Sequence, residues 1–152
     1  MGVEITNQTK LTDAFPNLCA TALQILCLLD RANWELSVVI CDDTFISRLN
    51  SQYLNKSGPT NVISFPQTDL TADSTADPEQ LLGDVVVSLD TAKREAEQVN
   101  RPLDEYLVEL LLHGILHLLG YDHELGPSEA EAMEKARDKV WAALAEQSKE
   151  SE

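Results

Sequence analysis

All three histidines of the chain fall inside one window, HGILHLLGYDH, residues 113–123. Random placement gives so tight a cluster about once in a hundred chains, so the window calls for a chemical reason. Residues four apart share one face of a helix, and His113 and His117 therefore present their imidazoles side by side. Gly120 follows three residues later, where a helix-ending glycine can enter the left-handed region and turn the chain, carrying His123 back toward the pair. His113, His117 and His123 then form a three-nitrogen clamp on one side of a cation. Imidazole suits zinc, and three protein ligands leave a fourth tetrahedral position open, the pattern of catalytic zinc. Such an ion brings the pKa of a bound water near neutral and polarises the oxygen of the bond being broken, so hydrolysis is the expected chemistry.

Two alternatives stand beside this one. A closed structural zinc could recruit Asp122, Glu124 or Cys41 as its fourth ligand, although structural sites are usually rich in thiolates. The same histidine spacing also occurs in zinc proteases whose helix reads HExxHxxGxxH, where the glutamate is the general base. Here that position is Gly114, which has no side chain, so peptide hydrolysis would need another base.

The clamp requires a helix that ends at the glycine, and PLDEYLVELLLHGILHLLG (102–120) supplies it, with Pro102 suited to open it. Downstream, Ser128 and Glu131 form a capping-box pair before a helix to about Gln147, with 148–152 as a frayed tail. Upstream, Leu18, Ala22, Ile25, Leu26 and Leu29 recur at helical spacing and predict a core helix from about Asp13 to Asp30. WELSVVIC (34–41), NVISF (61–65) and DVVVSL (84–89) read as strands, and Val3 and Ile5 alternate with polar neighbours as a short first strand does. Asp42 or Asp43 can cap a helix through Leu54, and Asp90 one through about Asn100. The segment 66–80, acidic and poor in large apolar side chains, reads as a mobile surface loop. This order predicts an α+β fold: one domain over 1–152, a small sheet of about four strands covered by helices, and the metal site at the end of a central helix.

A formal net charge of −15 argues against broad attraction to nucleic acid, so any RNA contact must be local. The three cysteines, Cys19, Cys27 and Cys41, make no disulfide framework, which fits a reducing cytoplasmic compartment. No basic segment followed by an apolar one opens the sequence, and no apolar run approaches a membrane span, so neither export nor a membrane partner is expected.

Three segments, in this order, carry a wider resemblance: LNSQYLNKSGPTNVISFP (49–66), LLGDVVVS (81–88) and HGILHLLGYDHE (113–124). Together they resemble the YbeY family of bacterial rRNA maturation factors, which are metal-dependent endoribonucleases specific for single strands. The resemblance implies an α+β domain with a small mixed sheet and one zinc ion on His113, His117 and His123. It also implies work on the small ribosomal subunit, with single-stranded or precursor rRNA and the subunit's proteins as partners, including maturation of the 3′ end of its rRNA, and no DNA. The PTNVISFP run would place a strand beside the metal cleft. Asp84 falls in the family's Gly-Asp element and, like Asp122, could orient a ligand; an equally good reading of Asp84 is an ordinary strand-start carboxylate.

Family members carry an arginine directly after the aromatic of the first segment, and here that position is Leu54, with Ser57 in place of an acidic residue. Leucine cannot contact a phosphate or offset its developing charge. Lys56, which matches a family lysine, and Arg48 are the candidate phosphate contacts, with Lys93 and Arg94 as further sources of positive charge. The leading expectation is a zinc-dependent endoribonuclease, with water or the RNA 2′-hydroxyl as attacking group. The alternatives are a zinc-binding assembly factor that cuts weakly or not at all and, behind it, a protease-like hydrolase.

Overall fold

A computed structural model describes residues 3–9, 17–66, 81–121 and 126–150, the side chains of 147–150 excepted. The elements in chain order are β1 (Val3–Asn7), α1 (Leu18–Leu28), β2 (Glu35–Cys41), α2 (Asp43–Leu54), β3 (Val62–Pro66), β4 (Leu81–Ser88), α3 (Leu89–Gln98), α4 (Leu103–Leu118) and α5 (Pro127–Glu150). The sheet order is β1-β2-β4-β3. β1 and β4 flank β2 in parallel, and β3 joins β4 antiparallel. This is the expected α+β architecture with a four-stranded mixed sheet.

Strand side chains alternate between faces, and that alternation divides the core. Leu36, Val38, Ile40, Val85 and Val87 point to one face and pack with α1, α4 and α5 through residues such as Ile25, Leu111, Ile115 and Val140. Cys41, Ile63 and Val86 point to the other face and meet Ile46 of α2. The larger core takes four helices, α2 alone covers the smaller one, and the sheet stands between α2 and α4.

Several boundaries differ from expectation. β4 begins at Leu81, three residues before Asp84, because Gly83 sits in a bulge and does not end the strand. Gly83 has φ +145, and a Cβ there would lie 2.4 Å from the Phe65 carbonyl oxygen, so only glycine fits. The cap of α3 is Ser88, whose hydroxyl accepts from the Thr91 N–H, and Asp90 lies in the first turn. α5 starts at Pro127, with the Gly126 carbonyl accepting from Ala130 N–H, so Ser128 lies inside the helix and is not its cap. That helix runs on to Glu150, since Lys149 and Glu150 are good helix formers and no breaker precedes them, which shortens the expected frayed tail; 151–152 lie outside the described residues. α1 begins at Leu18, and 13–16 lie outside the described residues. Pro66, the first residue of the expected mobile loop over 66–80, instead ends edge strand β3, where a missing N–H is tolerated, and 67–80 lie outside the described residues.

Candidate metal centre and its cleft

α4 carries the histidines because its apolar residues, Leu107, Leu110, Leu111, Ile115 and Leu118 among them, are spaced to bury most of its circumference. His113 and His117 share the half-buried remainder. Their Nε2 atoms stand 3.1 Å apart, with ring centroids 4.6 Å apart and ring planes at 73°. Two imidazole nitrogens on one tetrahedral zinc, each about 2.0–2.1 Å from the ion, are separated by about 3.3 Å. The pair therefore fits a shared zinc ion to within a few tenths of an ångström.

The helix ends as the clamp requires. Gly120 adopts φ +96, its N–H donates to the His117 carbonyl at 3.0 Å, and Tyr121 N–H donates to the Leu116 carbonyl at 3.1 Å. These are the two bonds of a Schellman turn, which ends the helix three residues after the second histidine. His123, Asp122 and Glu124 lie outside the described residues. Among the described residues no group of three histidines, cysteines or carboxylates forms a metal cluster.

Gly114 explains how closely α4 can approach the sheet. A Cβ at this position would lie 2.7 Å from Val85 Cγ1 and 3.2 Å from Ser64 Oγ. Ser64 of β3 also donates its hydroxyl to the Gly114 carbonyl at 2.8 Å. The residue after the first histidine thus faces β4, so the position that carries the general base in the zinc proteases here serves packing.

The wall beside His113 is built from residues that sequence reasoning missed. Arg101 pairs with Glu105 at 3.0 Å and with Glu109, and its guanidinium lies 5.7 Å from the Tyr106 ring centroid and 5.6 Å from that of Trp141. Burial opposes the charge of Arg101, but hydrogen bonds to Glu105 and Glu109 outweigh it and raise the pKa. Tyr106 donates to Glu95 Oε1 at 2.8 Å, and Asn61 Nδ2 donates to the same oxygen at 3.0 Å, which ties the PTN segment to α3 and α4. Burial and the Glu95 carboxylate push the Tyr106 phenol up to about 12, so it remains a donor at physiological pH. A cavity of about 410 Å³ opens here, bordered by Asn61, Arg101, Tyr106, Glu109, His113 and Arg137. The spacing Arg101, Glu105, Glu109 was a readable helix-face signal. Arg137 gave none.

The other expected residues lie elsewhere. Arg48 borders a recess on the outer surface of α2 with Thr44, Ser47, Ser51 and Gln52, so α2 and the sheet separate it from the histidines. Lys56 sits in the exposed connection between α2 and β3. Arg94 is held 2.8 Å from Asp43, and Lys93 is exposed beside it on α3. Asp84 pairs in register with Ser37 and Phe65 and alternates with Val85, which assigns it to the α2 face. Cys41, weighed as a fourth ligand, is buried on that same face, where burial first, and then the charges of Asp42, Asp43 and Asp90, push its thiol up to about 12.

A family model described as Endoribonuclease YbeY matches residues 3–145. A Geobacter metallireducens protein of the same description is 44% identical over 146 residues, covering 95% of this chain and 96% of the relative. One from Syntrophotalea carbinolica is 45% identical over 114 residues, 74% of this chain and 75% of the relative. One from Rhodopseudomonas palustris is 41% identical over 115 residues, and that match spans 66% of the relative's length. The solution structure of TM1509 from Thermotoga maritima superposes with a TM-score of 0.61 at 24% identity, covering 95% of this chain and 93% of that one, a likeness of fold.

Proposed function

The chain belongs to the YbeY endoribonuclease family, and from that premise we propose that it cleaves single-stranded precursor rRNA with a zinc ion held by His113, His117 and His123. The observation that carries this reading is the convergence of the two Nε2 atoms at 3.1 Å beside an open cavity. When bound, zinc supplies a Lewis acid for a phosphate oxygen and a lowered pKa for a coordinated water. The chain's own contribution is positional. The Schellman turn at Gly120 ends α4 three residues after His117, and the Ser64–Gly114 bond fixes α4 against the sheet.

The partners in this reading are precursor rRNA of the small ribosomal subunit, near its 3′ end, and the proteins of that subunit, in the cytoplasm. No helix among the described residues is long and apolar enough to cross a membrane. One observation favours the assembly-factor alternative: Leu54, 44% exposed at the end of α2, presents an apolar surface where the family places a guanidinium.

The test is cleavage of a 3′-extended small-subunit rRNA fragment by zinc-loaded protein, alongside His117→Ala and Leu54→Arg. Cutting by the native chain and not by His117→Ala supports the nuclease. Cutting by Leu54→Arg alone supports the assembly factor. Cutting by none of them removes the nuclease reading.

A further inference from the structure

Cleaving or gripping an RNA strand in a protein of net charge −15 demands a local cation besides any metal. Leu54 cannot serve, and Arg48 stands beyond the sheet. His113 borders two cavities, of about 410 and about 320 Å³, and Arg137 of α5 borders both. These two residues thus line both cavities, which together form the surface depression beside His113. Arg101 reaches only the first cavity, and there it is committed: two carboxylates and two aromatic rings hold it as a staple between α4 and α5.

Arg137 is held more loosely. Its Nη1 stands 3.7 Å from Glu109 Oε1, a carboxylate that Arg101 already engages. Its Nη2 stands 3.3 Å from Asp138, whose side chain is 64% exposed, so that pairing is weak in water. Glu134, three residues earlier on α5, also borders the second cavity. A guanidinium carries five donors in a planar fork, enough to keep such contacts and still offer two N–H groups to a phosphate.

We infer that Arg137 binds a backbone phosphate of the RNA next to the one at the metal clamp, and so occupies the role that Leu54 leaves empty. The strand would then run along the depression past His113, with one phosphate at the histidines and its neighbour on α5. This inference rests on the nuclease reading.

The experiment titrates a 2′-O-methyl oligonucleotide, followed by fluorescence anisotropy, onto the zinc-loaded chain across a salt series. The variants are Arg137→Gln, Arg137→Lys and, as a charge-matched control on the exposed side of α5, Lys139→Gln. Loss of one single-strand phosphate contact lowers the slope of log K against log salt by about 0.7 and weakens binding about fivefold at about 0.1 M salt. That result is expected for Arg137→Gln with an unchanged melting temperature, while Arg137→Lys and Lys139→Gln keep the native slope. A native slope in Arg137→Gln, a lost slope in Arg137→Lys, or an equal loss in Lys139→Gln overturns the inference. Each of these leaves the nuclease reading intact if the native chain still cuts RNA. If the native chain neither binds the oligonucleotide nor cuts, both fall.

Discussion

Two polar clusters, one where β2 and β4 end and one on α4, are organised in opposite ways. At the ends of β2 and β4, Asp43 Oδ1 accepts from the Ser88 and Thr91 hydroxyls at 2.6 Å each, while Oδ2 pairs with Arg94 at 2.8 Å. Around it Asp43 N–H donates to Asp90, Thr91 N–H donates to Ser88, and Asp42 caps α2 through Phe45 N–H. The donors and acceptors of this node are turned toward one another, and it joins two helix starts to two strand ends. On α4, the Nε2 atoms of His113 and His117 instead stand 3.1 Å apart, and His113 borders two cavities. Saturation of a polar cluster from within marks scaffolding; two imidazole nitrogens brought together beside a cavity mark a place for something brought from outside.

The sharpest way to break this contrast is to cross the readouts. His117→Ala should lower bound zinc from one ion per chain to near none and cut RNA cleavage by more than about 100-fold, because removing a ligand costs more than disturbing the groups behind it. The metal-free chain should keep its stability to within about 1 kcal/mol, since a half-buried imidazole is lost from an otherwise intact helix. Zinc analysis, cleavage assays and urea melts in chelator check all three. A metal-free chain that loses several kcal/mol would make the histidines scaffold as well.

Asp43→Ala is the mirror image. It strands the Ser88 hydroxyl, fully buried, and the Thr91 hydroxyl, almost so, and should cost about 2 kcal/mol of stability with zinc content unchanged. Burial raises the Asp43 pKa, but the hydrogen bonds from Ser88, Thr91 and Arg94 outweigh it and hold the carboxyl below its usual range. A depressed pKa in the folded state gives stability that is complete above about pH 4 and is lost as pH falls through the folded-state value. The native chain should therefore lose more stability than Asp43→Ala on going below about pH 4 in denaturant melts. Parallel curves for the two proteins would show that the node contributes nothing through its charge.

How much of this was legible in the sequence depends on the range of the interaction. The histidine pair and its turn could be read because helix periodicity sets residues four apart side by side and glycine marks the reversal; both are local rules. The strands could be read from β-branched runs, and the Asp42 cap from its place before an amphipathic stretch. Arg48 looked like a site residue because it lies two helical turns before Lys56, which matches a family lysine. The pairing of β2 with β4 sends α2 to the far face, and no local rule announces that. Arg137 was invisible for the converse reason: its helix reaches His113 only through packing between α4 and α5. Ser88 replaced Asp90 as a cap because both are good caps and the length of β4 made the choice.

The smallest effect tests how far the sheet itself helps to seat the clamp. Ser64 belongs to β3, yet its hydroxyl donates to the Gly114 carbonyl on the helix that carries the clamp. That carbonyl also takes part in the helix ladder, so removing the hydroxyl leaves no acceptor stranded, and Ser64→Ala should cost only about 0.5–1.5 kcal/mol. The same bond fixes the seat of α4 where Gly114 allows the closest approach to Val85, one residue from His113. A small slip of α4 would move both histidines together, because they ride on one rigid helix, and would leave their mutual spacing unchanged. Zinc affinity should then fall by less than about tenfold, less than the loss of a group that hydrogen-bonds a ligand directly. Competition against a fluorescent chelator measures that shift. A larger loss would mean that the sheet, through Ser64, sets the position of a ligand that α4 alone does not hold.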